Sequence, residues 1–187
     1  MQRQAVALET AYLLMNHGPV TLVSTAHGER RNVMAASWAM PLDFSPPKVA
    51  VVVDRTTLTR ELIEASGRFT LNIPCRAIAG QVLAVGSCTG REVDKFAAHG
   101  IATAPGSVGA APLIDGCVAW LECRVIPEPP NEQRYDLFLG EVLAAWADPR
   151  VFADGRWRFD DDALRTIHYL AGGNFLASGD PFTVAGE

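Results

Sequence analysis

The spacing of apolar and polar residues changes several times along this chain, and each change marks an element. From Gln2 to Asn16, Val6, Leu8, Tyr12, Leu13 and Met15 form a broad helical face that Gly18-Pro19 ends. Pro19–Thr25 is β-rich, His27-Gly28-Glu29 reads as a turn, and Arg31–Met40 returns as a second strand. Pro46-Pro47 breaks the chain. Lys48–Asp54 is then a continuous apolar run of strand length, as expected of a strand buried on both faces. Thr56-Thr57 opens a helix through Leu62, Ile63 and Ala65, with Gly67 just past its end. Arg68–Ile73 is the next strand.

Helical patterns follow over Ile78–Val85 and over Glu92–Ala98, and Pro105, Gly106 and Gly109 make Ala104–Ala111 a loop. Cys117–Ile126 and Tyr135–Trp146 read as two long strands connected through Pro127, Pro129 and Pro130. Arg150–Phe159 reads as a hairpin turning at Asp154-Gly155. Asp160–Leu170 reads as a last helix with Asp160, Asp161 and Asp162 at its electropositive start, before a Gly172-Gly173 break. About six or seven strands at hairpin spacing, with helices inserted rather than alternating, predict a mainly β antiparallel barrel with helices. No G-x-G-x-x-G follows a strand, so a doubly wound dinucleotide fold is not supported.

The 187 residues suit a single domain with its own core. An apolar fraction of 49% against 20% charged residues points to apolar surface buried between subunits. The net charge is -5 with no basic run, which argues against nucleic acid as a partner. Cys75, Cys88, Cys117 and Cys123 form no C-x-x-C pair and read as small buried hydrophobes, with Cys117 and Cys123 on one strand face. His17, His27, His99 and His168 show no metal or triad spacing, and no G-x-S-x-G occurs. No stretch is apolar enough to span a bilayer and no signal peptide is evident, so the expected compartment is the cytoplasm.

Three segments are candidates for chemistry. Asp54-Arg55-Thr56-Thr57-Leu58-Thr59 joins a buried strand to a helix start, where free N–H groups, an arginine fork and hydroxyls suit a phosphate. Locally, an ordinary capped helix with a surface arginine explains it as well. Asn32–Trp38 offers the small residues Ala35, Ala36 and Ser37, which let a flat ligand reach main-chain groups; close packing of a strand gives the same pattern. Ser87–Phe96 places Ser87, Thr89 and Gly90 before a charged helix with Lys95, which also describes a solvated face.

Taken in order, these segments resemble the flavin-reductase-like (flavoredoxin-like) FMN-binding split-barrel family. The matching stretches are Asn32–Trp38, Pro46–Val51, Arg55–Thr59, Ser66–Ile73, Val93–Phe96 and Leu139–Val142. The resemblance implies a split β-barrel, a homodimer, and FMN near the subunit interface. It would place Ala35, Ala36, Ser37 and Trp38 against the isoalloxazine and Arg55, Thr56, Thr57 and Thr59 at the phosphate. Asn72 would lie near the ring, with Ser87, Thr89, Lys95 and Phe96 flanking the cofactor. It further implies NADH or NADPH as electron donor and a monooxygenase as partner, or else a carrier without enzymatic activity; haem is another planar ligand for such a barrel. The reductase branch often carries Gly-Asp-His where Gln133, Arg134 and Tyr135 stand here. Tyr135 and His168 are the expected substrate contacts.

Overall fold

The computed structural model describes residues 2–109 and 111–184. It opens with a short strand, β1 (Gln4–Val6), and a 3-10 helix over Leu8–Leu14. The N-terminal helical face is therefore shorter than its apolar pattern predicts, because the first residues pair with a strand. Next come β2 (Thr21–His27) and β3 (Arg30–Ala36), turning at Gly28 with φ 59°. The expected single strand over Arg31–Met40 is two: Ser37-Trp38 makes a corner, and β4 (Ala39–Phe44) leaves in a new direction. A turn at Ser45-Pro46 then feeds β5 (Pro47–Val52).

α1 (Leu58–Ser66) begins at its Thr57 cap, whose Oγ1 accepts from Arg60 N at 3.1 Å, and ends at Gly67 with φ 66°. β6 (Arg68–Ile73) matches its predicted bounds. α2 (Ala79–Gly86) follows a 3-10 turn over Arg76–Ile78. The helix expected from Glu92 shrinks to α3 (Lys95–Ala98), because the Asp94 carboxylate accepts from Phe96 N and Ala97 N and fixes its start there. The expected loop over Ala104–Ala111 includes residue 110, outside the described residues. Its first residue ends the two-residue strand β7 (Thr103–Ala104), and a second such strand, β8 (Leu113–Ile114), follows it.

β9 (Ala119–Ile126) and α4 (Pro129–Tyr135) precede the longest strand, β10 (Leu137–Ala147). The proline connection is thus a helix that starts on prolines, where the missing N–H costs nothing, and Tyr135 ends it rather than opening a strand. β11 (Phe152–Ala153) and β12 (Arg156–Trp157) form the expected hairpin, with φ 54° at Asp154 and 71° at Gly155.

The last predicted helix is absent. Its aspartates start only a 3-10 turn over Asp162–Leu164, and β13 (Ile167–Ala171) pairs with β14 (Asn174–Ala177). Gly172-Gly173, read as a break, is the turn of that hairpin, with φ 57° and 80°. Residues 178–184 of the C-terminal tail are accordingly not helical.

One antiparallel sheet runs in the order β3-β2-β6-β9-β10-β5-β4, with β1 added on β10. Its two edge strands, β3 and β4, are consecutive in sequence and only Ser37-Trp38 separates them. The two edges of the sheet must therefore meet at that corner, and the sheet curls into a split barrel. Strand alternation sorts residues to two faces. Val23, Val51, Phe69, Leu71 and Leu121 fill the barrel, while Leu22, Val33 and Trp120 turn outward to pack with Val82, Val85 and Phe96. Gly140 is required inside, since a Cβ there would lie 2.5 Å from the Phe69 ring. Cys123 faces the barrel, but Cys117 joins the outer cluster. The strand begins only at Ala119, so the expected shared face is lost in the bend before it.

Candidate functional site

The corner that closes the sheet also opens a cleft of about 590 Å³. Met34, Ala35 and Ala36 of β3 form one wall with Ser37 and Trp38. Val52 and Asp54 follow from β5, Tyr135 and Asp136 from the end of α4, and Tyr169 and Leu170 from β13. Val52 N donates to Trp38 O at 3.0 Å and pins the corner. Large apolar side chains stand in solvent around this cleft: Trp38 is 76% exposed, Tyr135 58%, Leu170 56% and Tyr169 41%. Such a patch has no use in a monomer unless something covers it. Beyond Ala35 and Ser37 the cleft runs into a smaller recess lined by Val82, Leu83, Gly86 and Ser87.

The start of α1 lies beside the cleft. Asp54 Oδ1 accepts from Thr56 N at 2.8 Å and Thr56 Oγ1 at 2.6 Å, and these bonds hold its carboxyl below the usual carboxylate range. Thr57 Oγ1 donates to Asp54 O at 2.8 Å. The loop between α2 and α3 lies against this start: Arg91 Nε donates to Thr56 O at 3.3 Å and its Nη1 to Glu61 at 2.9 Å. Thr59, fully buried, accepts from Asn32 Nδ2 at 2.9 Å. Gly90 presses on the same asparagine, where a Cβ would fall 2.2 Å from Oδ1. β3, α1 and the loop therefore converge at a place that only glycine permits.

The residues expected at a ligand divide into two groups. Ala35, Ala36, Ser37, Trp38 and Tyr135 line the cleft, and Ser87 lines its recess, with Oγ donating to Leu83 O at 2.8 Å. Thr56 and Thr57 stand at the helix start, and Thr89 Oγ1 accepts from Arg91 N at 3.2 Å in the loop facing it.

The others are turned elsewhere. Arg55 donates to Asp136 at 3.2 Å and to Gln133 O at 2.9 Å, so its fork braces α4. Asn72 is a fully buried tie between strands: Nδ2 donates to Leu22 O at 2.7 Å and Oδ1 accepts from Ile114 N at 2.8 Å. Lys95 is buried with Nζ on Val85 O at 2.6 Å, and burial lowers its pKa. Phe96 lies in the outer core under the Arg31 guanidinium, 4.2 Å from its ring centroid. These two support the loop from behind. His168 bonds Gly18 O at 2.9 Å, and its neighbours Tyr169 and Leu170 reach the cleft instead. Asp136, Tyr169 and Leu170 were not anticipated, and Asp54 and Arg91 lay inside candidate segments with no role of their own. For Tyr169 and Leu170 the available signal was the Gly-Gly hairpin turn.

The chain belongs to the flavin reductase like domain family, whose model matches residues 15–165. It is 48% identical over 181 residues to the uncharacterized protein YddH of Escherichia coli (strain K12), covering 95% of this chain and 96% of that one. The fold matches the crystal structure of an FMN-binding domain of a flavin reductases-like enzyme from Shewanella baltica OS155, with TM-score 0.96, 44% identity and 98% of both chains covered. Flavoredoxin of Desulfovibrio vulgaris (Miyazaki F) is similar with TM-score 0.78, 28% identity and 90% of both chains covered.

Proposed function

We propose that the cleft holds FMN and that the protein is an NAD(P)H-dependent flavin oxidoreductase. The observation that carries this reading is the set of exposed rings, Trp38, Tyr135 and Tyr169, around a cleft of about 590 Å³ beside the start of α1. That volume lies in the range of cofactor sites. When bound, FMN supplies hydride acceptance and onward electron transfer.

The chain's residues bind and orient. Ala35, Ala36 and Ser37 present main-chain groups to a flat ring without a bulky side chain in the way. Trp38 and Tyr169 cover the ring and exclude water. The first N–H groups of α1 and the hydroxyls of Thr56, Thr57 and Thr89 suit a phosphate monoester, and Arg91 supplies the nearby cation. No side chain needs to transfer a proton; the two carboxylates in the cleft wall are engaged, Asp54 by Thr56 and Asp136 by Arg55 and Arg60. Tyr135 stands at the open side, where a nicotinamide would arrive.

Apo protein titrated with FMN and riboflavin tests the site. FMN should bind more tightly. Arg91→Ala should cost FMN about 1.5–3 kcal/mol, the worth of a charge-assisted bond, and leave riboflavin unchanged. Equal affinities in the wild type would remove the phosphate assignment. Anaerobic NADH or NADPH should then bleach the flavin spectrum, and a spectrum that stays oxidised would leave an electron carrier.

A further inference from the structure

We propose that Cys88 is a modifiable thiol, with His99 as its proton acceptor, and that it exchanges with low-molecular-weight disulfides. The assignment is independent of what the cleft binds.

The four cysteines are not alike. Cys75, Cys117 and Cys123 are buried, and burial pushes each thiol up and keeps it protonated. Cys88 is half-buried, in the loop that leaves α2. Its Sγ lies 3.4 Å from Ala84 O and 3.4 Å from His99 Nε2. The His99 main chain is itself anchored, since Gln81 Nε2 donates to His99 O at 3.1 Å. The imidazole is thus held against the thiol from across the loop. Of the loop's other charges, Asp94 caps α3, Arg91 is bound to Glu61 and Thr56 O, and Glu92 is exposed to solvent. The half-buried sulfur thus has a proton acceptor in place at 3.4 Å, and the thiolate that the transfer leaves is the attacking form.

In the exchange, Cys88 gives its proton to His99 Nε2. The thiolate attacks one sulfur of the disulfide, so a Cys88 S–S bond forms and the original S–S bond breaks. The released thiolate takes the proton back from the imidazolium. The adduct would sit one residue from Ser87 and two from Gly86, both in the wall of the recess.

Native protein treated with bis(2-hydroxyethyl) disulfide, followed by intact mass and peptide mapping, reads the site directly. One adduct is expected, on Cys88, and Cys88→Ser should take none. With iodoacetamide, His99→Gln keeps a polar partner but cannot accept the proton. It should slow labelling about tenfold near neutral pH, because the thiol proton then has no base beside it to go to. Thermal melts confirm that each variant is folded. Equal labelling of another cysteine in the native protein, or a His99→Gln profile that overlays the wild type, would overturn the proposal.

Discussion

Arg60 sets the far wall of the cleft with a single side chain. Its Nε donates to Glu64 at 2.6 Å, Nη1 to Asp136 at 3.0 Å and Val53 O at 3.3 Å, and Nη2 to Glu132 O at 2.9 Å. The guanidinium also lies 4.7 Å from the Phe138 ring centroid. It therefore ties α1 to the end of β5, to α4 and to β10, and it is almost wholly buried. Arg60→Ala would strand the Val53 and Glu132 carbonyls and leave the Asp136 carboxylate to Arg55 alone, and should cost about 3 kcal/mol of stability by urea unfolding. A loss below 1 kcal/mol would mean that water replaces these bonds freely. The same region shows what residue-level reading of the sequence reached. The capped helix start was legible, because Thr57 and Gly67 act through neighbours in the chain. Which arginine faces that start was not. Arg55 turns away because Asp136, distant in sequence, offers a carboxylate there, and Arg91 arrives on a loop whose path no local pattern fixes.

The C-terminal hairpin brings Tyr169 and Leu170 to the cleft, and a half-buried histidine helps to hold it. His17 Nε2 is 2.8 Å from Thr166 Oγ1, which lies 2.6 Å from Ser178 Oγ. The His17 ring packs 5.1 Å from Trp157 and 5.9 Å from His168. Burial, and then the nearby His168, lower the His17 pKa from 6.5 to about 4. Because the unfolded chain binds this proton more readily, the contribution is fully present above pH 6.5. It is lost as the pH falls from 6.5 toward 4. The size is about 3 kcal/mol, from roughly 1.4 kcal/mol per unit. Urea unfolding at pH 7.5 and 4.5 should therefore show a smaller acid loss in His17→Gln than in wild type; equal losses would show that His17 is not the group responsible. At this scale the sequence was readable wherever alternation and a turn signal agreed, as in β6 and the Asp154-Gly155 hairpin. It misled where local chemistry served a smaller purpose. Three aspartates suggested a long helix but lead into a 3-10 turn, and the strand character of Ile167–Ala171 was outweighed by that signal. The Ser37-Trp38 corner, which creates the site, carries no glycine or proline that would announce it.

For the whole molecule, the barrel has one sheet edge whose outer face remains apolar. Along β4 every second residue is solvent-exposed and large: Met40 at 54%, Leu42 at 46% and Phe44 at 64%. Trp38 continues the row into the cleft. An edge strand left bare in this way would invite unwanted association unless a fixed partner covers it. We infer that the partner is a second copy of the chain, with the covered row placing the cleft at or near the interface. Light scattering should then give twice the 20.1 kDa chain mass. Leu42→Asp puts a charge in the middle of the row and should shift the protein toward monomer while leaving the barrel folded, since Leu42 lies outside both core clusters. If the interface also covers the cleft, that variant should bind FMN more weakly than wild type at the same protein concentration, and raising the concentration should recover part of the loss by mass action. A wild-type monomer that holds FMN with full affinity would refute both the partner and its role in the site. A Leu42→Asp monomer with unchanged FMN affinity would keep the dimer and remove its part in the cleft.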